Sequence, residues 1–485
     1  MEELDIVALS RKSMQGVIAL ISRQFVLQVI STVAFLLISS VLLPVDIGIY
    51  TAVIAMQRII SFFTDFGLGA ALIQKNEALT QADLETSFTL QAVITLLIFI
   101  LIFFLRDVIT SYFKLNPSGE RLLIALVFTI FISSFKTIPS ILLERKIQFQ
   151  RLVIPQIVES LVFNLVLIVF ILRGYRIDSY TYAFIASSIV GLPVYYYISP
   201  WRIGFGIDKE SLGHLKFGLQ FQAKNILATI KDDFLTVILT KFLSFTQIGY
   251  IGFAQRLSFI TYRYIVDSVT KVTFSSYARL QNDKHILRKA IEKSLFYISS
   301  VMFPLVAGTI IIAPYVIHYF PKWHNKWEPA LLSITFFSLN AGISSLSGII
   351  VNSLDATGRV KITLNLMVLW TILTWILTPI LIRLLGFDGV AIASFLVTTT
   401  IVYTVYLVKQ VVDFNFFSSI YKPFLATLFM SGVIFAITKI IAINIFIIAV
   451  IIIAGGLLYL GSFYILAKNE LFEMRNILLK NYEKI

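Results

Sequence analysis

The sequence predicts an all-α integral membrane protein with about 14 transmembrane helices, each near the 20 residues needed to cross hydrocarbon. Composition leads to this class first: 58% of residues are hydrophobic and only 14% charged, with a mean hydropathy of +0.87. A soluble fold carries about a quarter charged residues and must keep part of its surface polar, which this composition does not allow. The second observation is the succession of long apolar stretches separated by short polar connections.

The first six stretches are residues 17–43, 47–73, 87–105, 121–142, 152–172 and 179–198. The next six are 215–242, 247–273, 291–319, 328–352, 361–384 and 388–411, and two more follow at 421–441 and 443–467. The first carries Arg23 and runs too long for a cleavable signal core, so it reads as an uncleaved span. The longest outer connection, 106–120, and the longest cytoplasmic one, 274–290, are too short to fold as domains. Lys and Arg concentrate on alternate connections, chiefly Arg145, Lys146 and Arg151, then Arg279, Lys284, Arg288, Lys289 and Lys293. The positive-inside bias therefore places both termini in the cytoplasm. Trp323 and Trp327 fall in an outer connection, where interfacial aromatic anchors are expected.

An internal repeat organises the spans. Asp46-Ile47-Gly48 opens the second and Gln247-Ile248-Gly249 opens the eighth, 201 positions later. The same offset lays Arg23 on Lys224. Ile-Gly pairs are common in membrane helices, but matched polar first pairs favour duplication of a six-helix unit. The chain then divides into residues 1–200, residues 201–411, and a last pair of helices with a tail in 412–485.

Ionisable groups within the spans cost roughly 2.5–3.5 kcal/mol each on insertion scales, and normally face a hydrated or protein-lined interior. The basic members are Arg23, Arg58, Lys136, Lys224, Lys231, Lys241, Arg256, Arg263 and Lys271; the acidic ones are Asp65, Glu159, Asp232, Asp233 and Asp267. All but Lys136 and Glu159 lie in spans one, two, seven and eight. Lys224 and Lys231, and likewise Arg256 and Arg263, are seven apart and share a helical face. Such a row suits a phosphate-bearing or other anionic substrate. Arg23, Arg58, Lys224, Lys231, Arg256 and Arg263 are the candidate substrate-binding residues; Asp65, Asp232, Asp233 and Asp267 are the candidates for coupling to protons or sodium. Lys136, Lys241 and Lys271 are expected to snorkel from span ends. Glu159 suits an interhelical contact, and Asp232 and Asp233 suit neutralisation of Lys231.

Several chemistries are missing from the sequence. Cysteine is absent, which removes disulfides and thiolate metal sites. No Walker A motif occurs, no catalytic arrangement stands out, and the dispersed net charge of +13 does not form a nucleic-acid surface. His318 and His324 are six apart, which is not a helical metal-ligand spacing, so no metal and no cofactor is expected.

Five motifs resemble one family in order along the chain. They are Thr64-Asp65-Phe66-Gly67-Leu68-Gly69 running on to Gln74, Glu144-Arg145-Lys146-Ile147-Gln148-Phe149, and Ser275-Ser276-Tyr277-Ala278-Arg279-Leu280-Gln281-Asn282-Asp283. Pro321-Lys322-Trp323 with the following Pro329-Ala330-Leu331, and Leu354-Asp355-Ala356-Thr357-Gly358-Arg359, complete the set. Together they resemble bacterial polysaccharide exporters of the Wzx type, in the lipopolysaccharide or colanic-acid branch of the multidrug/oligosaccharidyl-lipid/polysaccharide flippase superfamily. Ser275 stands where that family has proline, and His324-Asn325-Lys326 is inserted between the two tryptophans.

The resemblance implies a MATE-like fold of two six-helix lobes around a cavity lined by helices one, two, seven and eight, with the last two helices peripheral. It implies a transporter of the bacterial cytoplasmic membrane and not an enzyme. The cargo would be an undecaprenyl-pyrophosphate-linked oligosaccharide moving to the outer leaflet, with other polysaccharide-assembly proteins as partners. A MATE-type drug antiporter shares the fold but would favour an acidic cavity. A membrane glycan polymerase or ligase is the enzymatic alternative.

Overall fold

A computed structural model describes residues 26–64, 72–73, 75, 77, 79–209, 211, 227 and 229–472. The helices are α1 (Val26–Val41), α2 (Pro44–Thr64), α3 (Gln81–Phe113), α4 (Pro117–Arg145), α5 (Phe149–Leu172) and α6 (Asp178–Ile198). Next come α7 (π-helical Ile230–Phe234 and α-helical Leu235–Leu239), α8 (Phe245–Leu280), α9 (Lys284–Tyr319) and α10 (Leu331–Ala356). The series ends with α11 (Val360–Leu385), α12 (Gly389–Thr398 continued by Ile401–Lys409), α13 (Phe416–Ile440) and α14 (Ile445–Leu466). No strand occurs among the described residues. Ten candidate membrane spans are found there by length and hydropathy, α11 and α12 counting as one.

Two connections are much shorter than expected. Helix α3 runs to Phe113 and α4 starts at Pro117, so 106–120 reduces to a three-residue turn. There Lys114 takes a left-handed conformation and the Asn116 side chain caps α4 through Gly119 N at 2.8 Å. Likewise α8 extends to Leu280 and α9 begins at Lys284, with Asp283 capping the latter. The helices continue past their hydrophobic windows because capping and amphipathic ends stabilise turns that hydropathy alone misses.

The chain divides into two compact units, residues 1–252 and 253–485. In the first, α6 packs on α5 and α4, α4 on α3, and α2 on α4 and α7. On α3, Leu97, Leu101, Phe104 and Val108 are all more than half exposed and lie on one stripe. An apolar stripe of that size is what hydrocarbon contact requires and water would penalise. Polar contacts hold the helix ends. Buried Asp46 is clamped by Arg176 at 3.0 and 3.1 Å, and Arg121 forks onto Asp178 at 2.9 and 2.7 Å. At the opposite end of α3, Asp83 receives Lys75 at 2.9 Å and Ser211 at 3.0 Å while closing a capping box with Thr80.

The repeat is visible in the first unit in atomic detail. Helices α2 and α8 start at Pro44 and Phe245, 201 positions apart. The Asp46 carboxylate accepts from Leu43 N at 3.1 Å, and the Gln247 side-chain carbonyl accepts from Ser244 N at 2.9 Å, the same contact at the same offset. Gly48 faces the carbonyl of Phe245, and Gly249 faces the carbonyl of Pro44. The equivalent positions Thr51 and Gly252 also meet each other. The two helix starts therefore cross about a local pseudo-twofold axis, each glycine admitting the backbone of the other helix.

The second unit is cemented by small and polar groups as membrane bundles are. Ser258 donates to the Ile334 carbonyl at 3.1 Å, Ser338 to Ser258 at 3.0 Å, and Asn352 to Thr270 O and Thr273 Oγ1 at 2.8 Å each, joining α8 to α10. Helices α13 and α14 dock on α9 through Phe296, Met430, Ile434, Tyr459 and Phe463, and the Tyr459 hydroxyl donates to Ser300 O at 2.6 Å. Trp323 and Trp327 are not interfacial anchors. Both are fully buried, with Phe253 stacked on Trp327 at 4.1 Å and edge-on to Trp323 at 5.1 Å. The slot beside Phe253 draws the rings inward because it removes their whole apolar area from solvent.

Candidate membrane charge site

Helix α2 positions Arg58 about 21 Å from its first residue, at 1.5 Å per residue, inside the candidate span Pro44–Phe62 and about one turn before its end. The side chain is 58% exposed, and its Nη1 lies 3.3 Å from Asp233 Oδ1, which is 14% exposed. A half-exposed guanidinium at that depth faces either lipid or water, and water is far less costly. Asp233 sits in the π-helical turn Ile230–Phe234, with Lys231 paired to Asp232 at 3.4 Å beside it. The widened turn re-aims consecutive polar side chains; π-turns recur at functional sites for this reason. Within the helix expected over 215–242 it interrupts the regular geometry at Ile230–Phe234, while residues 215–226 and 228 lie outside the described residues.

Of the sequence-predicted residues, the structure brings together Arg58 with Asp233 and Lys231 with Asp232, all in the first unit. Arg256 and Arg263 are exposed, two turns apart on α8 in the second unit. Arg23, Asp65 and Lys224, and the side chain of Asp267, lie outside the described residues.

Of three further expectations, one is overturned and two hold. Lys136 does not snorkel: it is buried within α4 and meets Glu159 of α5 at 2.5 Å. Its position nine residues before the end of α4 leaves an internal carboxylate as the accessible partner. Glu159 thus makes the expected interhelical contact. Lys241 does sit at a helix end, exposed, with its ammonium 3.1 Å from the centre of the Tyr112 ring. Sequence reading missed the Asp46–Arg176 and Arg121–Asp178 pairs, because each joins residues at helix ends from different connections, and the local Lys75–Asp83 pair, which lies outside the apolar stretches. Acids in first helical turns (Asp46, Asp83, Asp178) were the available signal.

The comparisons with known proteins fit this architecture. By structure, the chain is similar to the lipid II flippase MurJ in an inward closed conformation, with a TM-score of 0.75 and 17% identity, covering 93% of this chain and 99% of that one. It is also similar to an inward-facing multidrug resistance MATE family transporter of the MOP superfamily, with a TM-score of 0.64 and 15% identity, covering 79% and 95%. Both likenesses establish the MOP-type fold. By sequence, it is 21% identical to the lipopolysaccharide biosynthesis protein WzxC of Escherichia coli (strain K12), covering 67% of this chain and 66% of that protein. The teichuronic acid biosynthesis protein TuaB of Bacillus subtilis (strain 168) is also 21% identical, covering 77% and 78%. The profile of a family described as "Polysaccharide biosynthesis protein" matches residues 37–331, more than half of the chain. With the spans and the fold already established, the chain belongs to that polysaccharide biosynthesis family and is a multi-pass membrane protein.

Proposed function

We propose that this protein is a flippase for an undecaprenyl-pyrophosphate-linked oligosaccharide, carrying it from the cytoplasmic to the outer leaflet by alternating access. The observation that carries the reading is Arg58, a half-exposed guanidinium within the α2 span, held 3.3 Å from the largely buried Asp233. The exposed pair Arg256 and Arg263 on α8 supports it. In the mechanism, guanidinium and ammonium groups of Arg23, Arg58, Lys224, Lys231, Arg256 and Arg263 hold the pyrophosphate through charge-assisted hydrogen bonds. The glycan crosses in water, and the polyprenyl tail stays in lipid. Helices α1, α2, α7 and α8 line the path, and both termini face the cytoplasm.

Asp233 competes with the substrate for Arg58, so protonation or sodium binding at Asp233 would release Arg58 for phosphate. Asp65, Asp232 and Asp267 are the other coupling candidates. The reaction breaks no covalent bond, and the structural likeness to the lipid II flippase MurJ supports a transporter over an enzyme. A drug antiporter shares the fold, but the excess of basic over acidic intramembrane groups argues against a cationic cargo.

The test is reconstitution in liposomes with a fluorescent lipid-linked oligosaccharide. A charge-assisted hydrogen bond is worth about 1.5–3 kcal/mol, so Arg58→Ala, Arg256→Ala and Arg263→Ala are each expected to slow leaflet exchange about tenfold or more at equal protein level. Wild-type rates in all three variants would refute the basic path.

A further inference from the structure

We propose that His318, His324 and Glu328 form a binding site for a borderline transition-metal cation, with Zn²⁺ the best match. Spacing along the chain argues against such a site only if the helix continues, and it does not: α9 ends at Tyr319. The connection to α10 is a tight loop in which Lys322 and Asn325 both adopt left-handed backbone (φ 62° and 61°), uncommon for residues with a side chain. Its turns are closed by Trp323 N to Phe320 O at 3.1 Å and Trp327 N to Trp323 O at 3.0 Å.

The fully buried Trp323 and Trp327 pin this loop to the second unit through Phe253. His324 directly follows one anchor and Glu328 the other. His318 comes from the last turn of α9, whose negative dipole end favours a cation. The three side chains are thus presented by a fixed frame, which is what a binding constellation needs.

Their geometry fits a metal closely. His324 Nδ1 is 2.8 Å and His318 Nδ1 3.7 Å from Glu328 Oε1, and the two imidazole rings stand 4.2 Å apart at 78°. One ligand atom from each residue lies within 4.8 Å of the others. Zn–N and Zn–O bonds of about 2.0–2.2 Å at tetrahedral angles place ligand atoms about 3.3 Å apart, between the two distances to the carboxylate. Two imidazole nitrogens and one carboxylate oxygen suit Zn²⁺ and exclude the all-oxygen preference of Mg²⁺ and Ca²⁺. A fourth position is left for water on the exposed side, where a pocket of about 410 Å³ is lined by Pro314, Tyr315, Tyr319 and Leu331 with His318 and Glu328. Lys322 and Lys326 in the same loop oppose a cation, so the alternative occupant is none at all, with the imidazoles merely hydrogen-bonded to Glu328.

Bound metal would join the end of α9 to the entry of α10. The test uses the full chain purified in detergent through a histidine-free tag and stripped with a chelator. Zn²⁺, Mg²⁺ and Ca²⁺ are titrated separately by calorimetry, and Tm is followed in parallel. We expect one Zn²⁺ per chain, a Tm that climbs with the logarithm of free Zn²⁺ above its Kd and with no other metal titrated, and visible absorption bands of a low-symmetry site on Co²⁺ substitution. The His318→Ala/His324→Ala double variant should lose more affinity than the roughly 10–100-fold that even second-shell partners contribute. Glu328→Gln preserves shape and should weaken binding while leaving the metal-free Tm near wild type; His285→Ala should bind normally. Equal stoichiometry and affinity in wild type and both site variants, or no Zn²⁺-dependent rise in Tm, would overturn the site.

Discussion

Replacing Gly48 with alanine is expected to disrupt the α2–α8 crossing, and Gly249→Ala should do the same. A Cβ at position 48 would overlap the carbonyl oxygen of Phe245 and approach Gly249 N to 2.9 Å; one at position 249 would overlap the carbonyl oxygen of Pro44. Neither obstacle is a flexible side chain that can rotate away, so the helices must separate. Overpacking costs about 1–3 kcal/mol and occasionally more, and a backbone obstacle puts these sites at the upper end. The sign of the coupling is also determined. Both clashes occur at one crossing, so separation that relieves the first relieves the second. The Gly48→Ala/Gly249→Ala double variant should therefore be destabilised by less than the sum of the two single effects. Thermal melts of detergent-purified variants, read with monodispersity on size exclusion, measure this. Strict additivity, or wild-type Tm in both single variants, would contradict the crossing.

That crossing shows how much of the fold could be read from the sequence. The 201-residue offset was legible because a short feature repeats: an oxygen-bearing side chain at the third position of the helix and a glycine two residues further. Its purpose was not legible, since a close backbone approach leaves no mark beyond the glycine itself. Apolar runs located the helices, but their ends moved by up to eight residues, as with α3 reaching Phe113 and not Leu105. Hydropathy reports where the hydrocarbon is, whereas helix length is settled by caps such as Asn116 and Asp283.

The candidate site was legible in kind and only partly in arrangement. Charge placement singled out spans one, two, seven and eight, and the Arg58–Asp233 contact joins two of them, α2 and α7. The π turn that presents Asp233 has no sequence signature distinguishing it from a regular helix turn. Trp323 and Trp327 were misread for a related reason: an aromatic in a connection looks the same whether it anchors at the interface or fills an internal slot beside Phe253. Lys136 was misread because distance to a span end is measured from a boundary that hydropathy places imprecisely.

Lys136 and Glu159 supply the second large effect. The pair links α4 to α5 at 2.5 Å with Lys136 almost fully buried, and the Glu159 side chain also fills the space above Gly191 of α6. Removing one partner of a buried pair strands the other charge and costs about 3–5 kcal/mol, and the 26% exposure of the Glu159 side chain puts this pair at the lower end of that range or below it. Lys136→Met leaves a carboxylate without its cation, and Glu159→Gln leaves an ammonium facing an amide; both should lower Tm strongly. Lys136→Met combined with Glu159→Gln removes both charges, so it should recover much of the loss from either single change. Gly191→Ala separates packing from charge. It would push Glu159 aside without altering the charge of any group, so destabilisation there, relieved when Glu159 is shortened to alanine, marks the steric part. If instead each single variant melts with the wild type, the ion pair is not a structural tie. In that case Lys136 becomes available for the anionic path, and its loss should show in lipid-linked oligosaccharide exchange with stability unchanged.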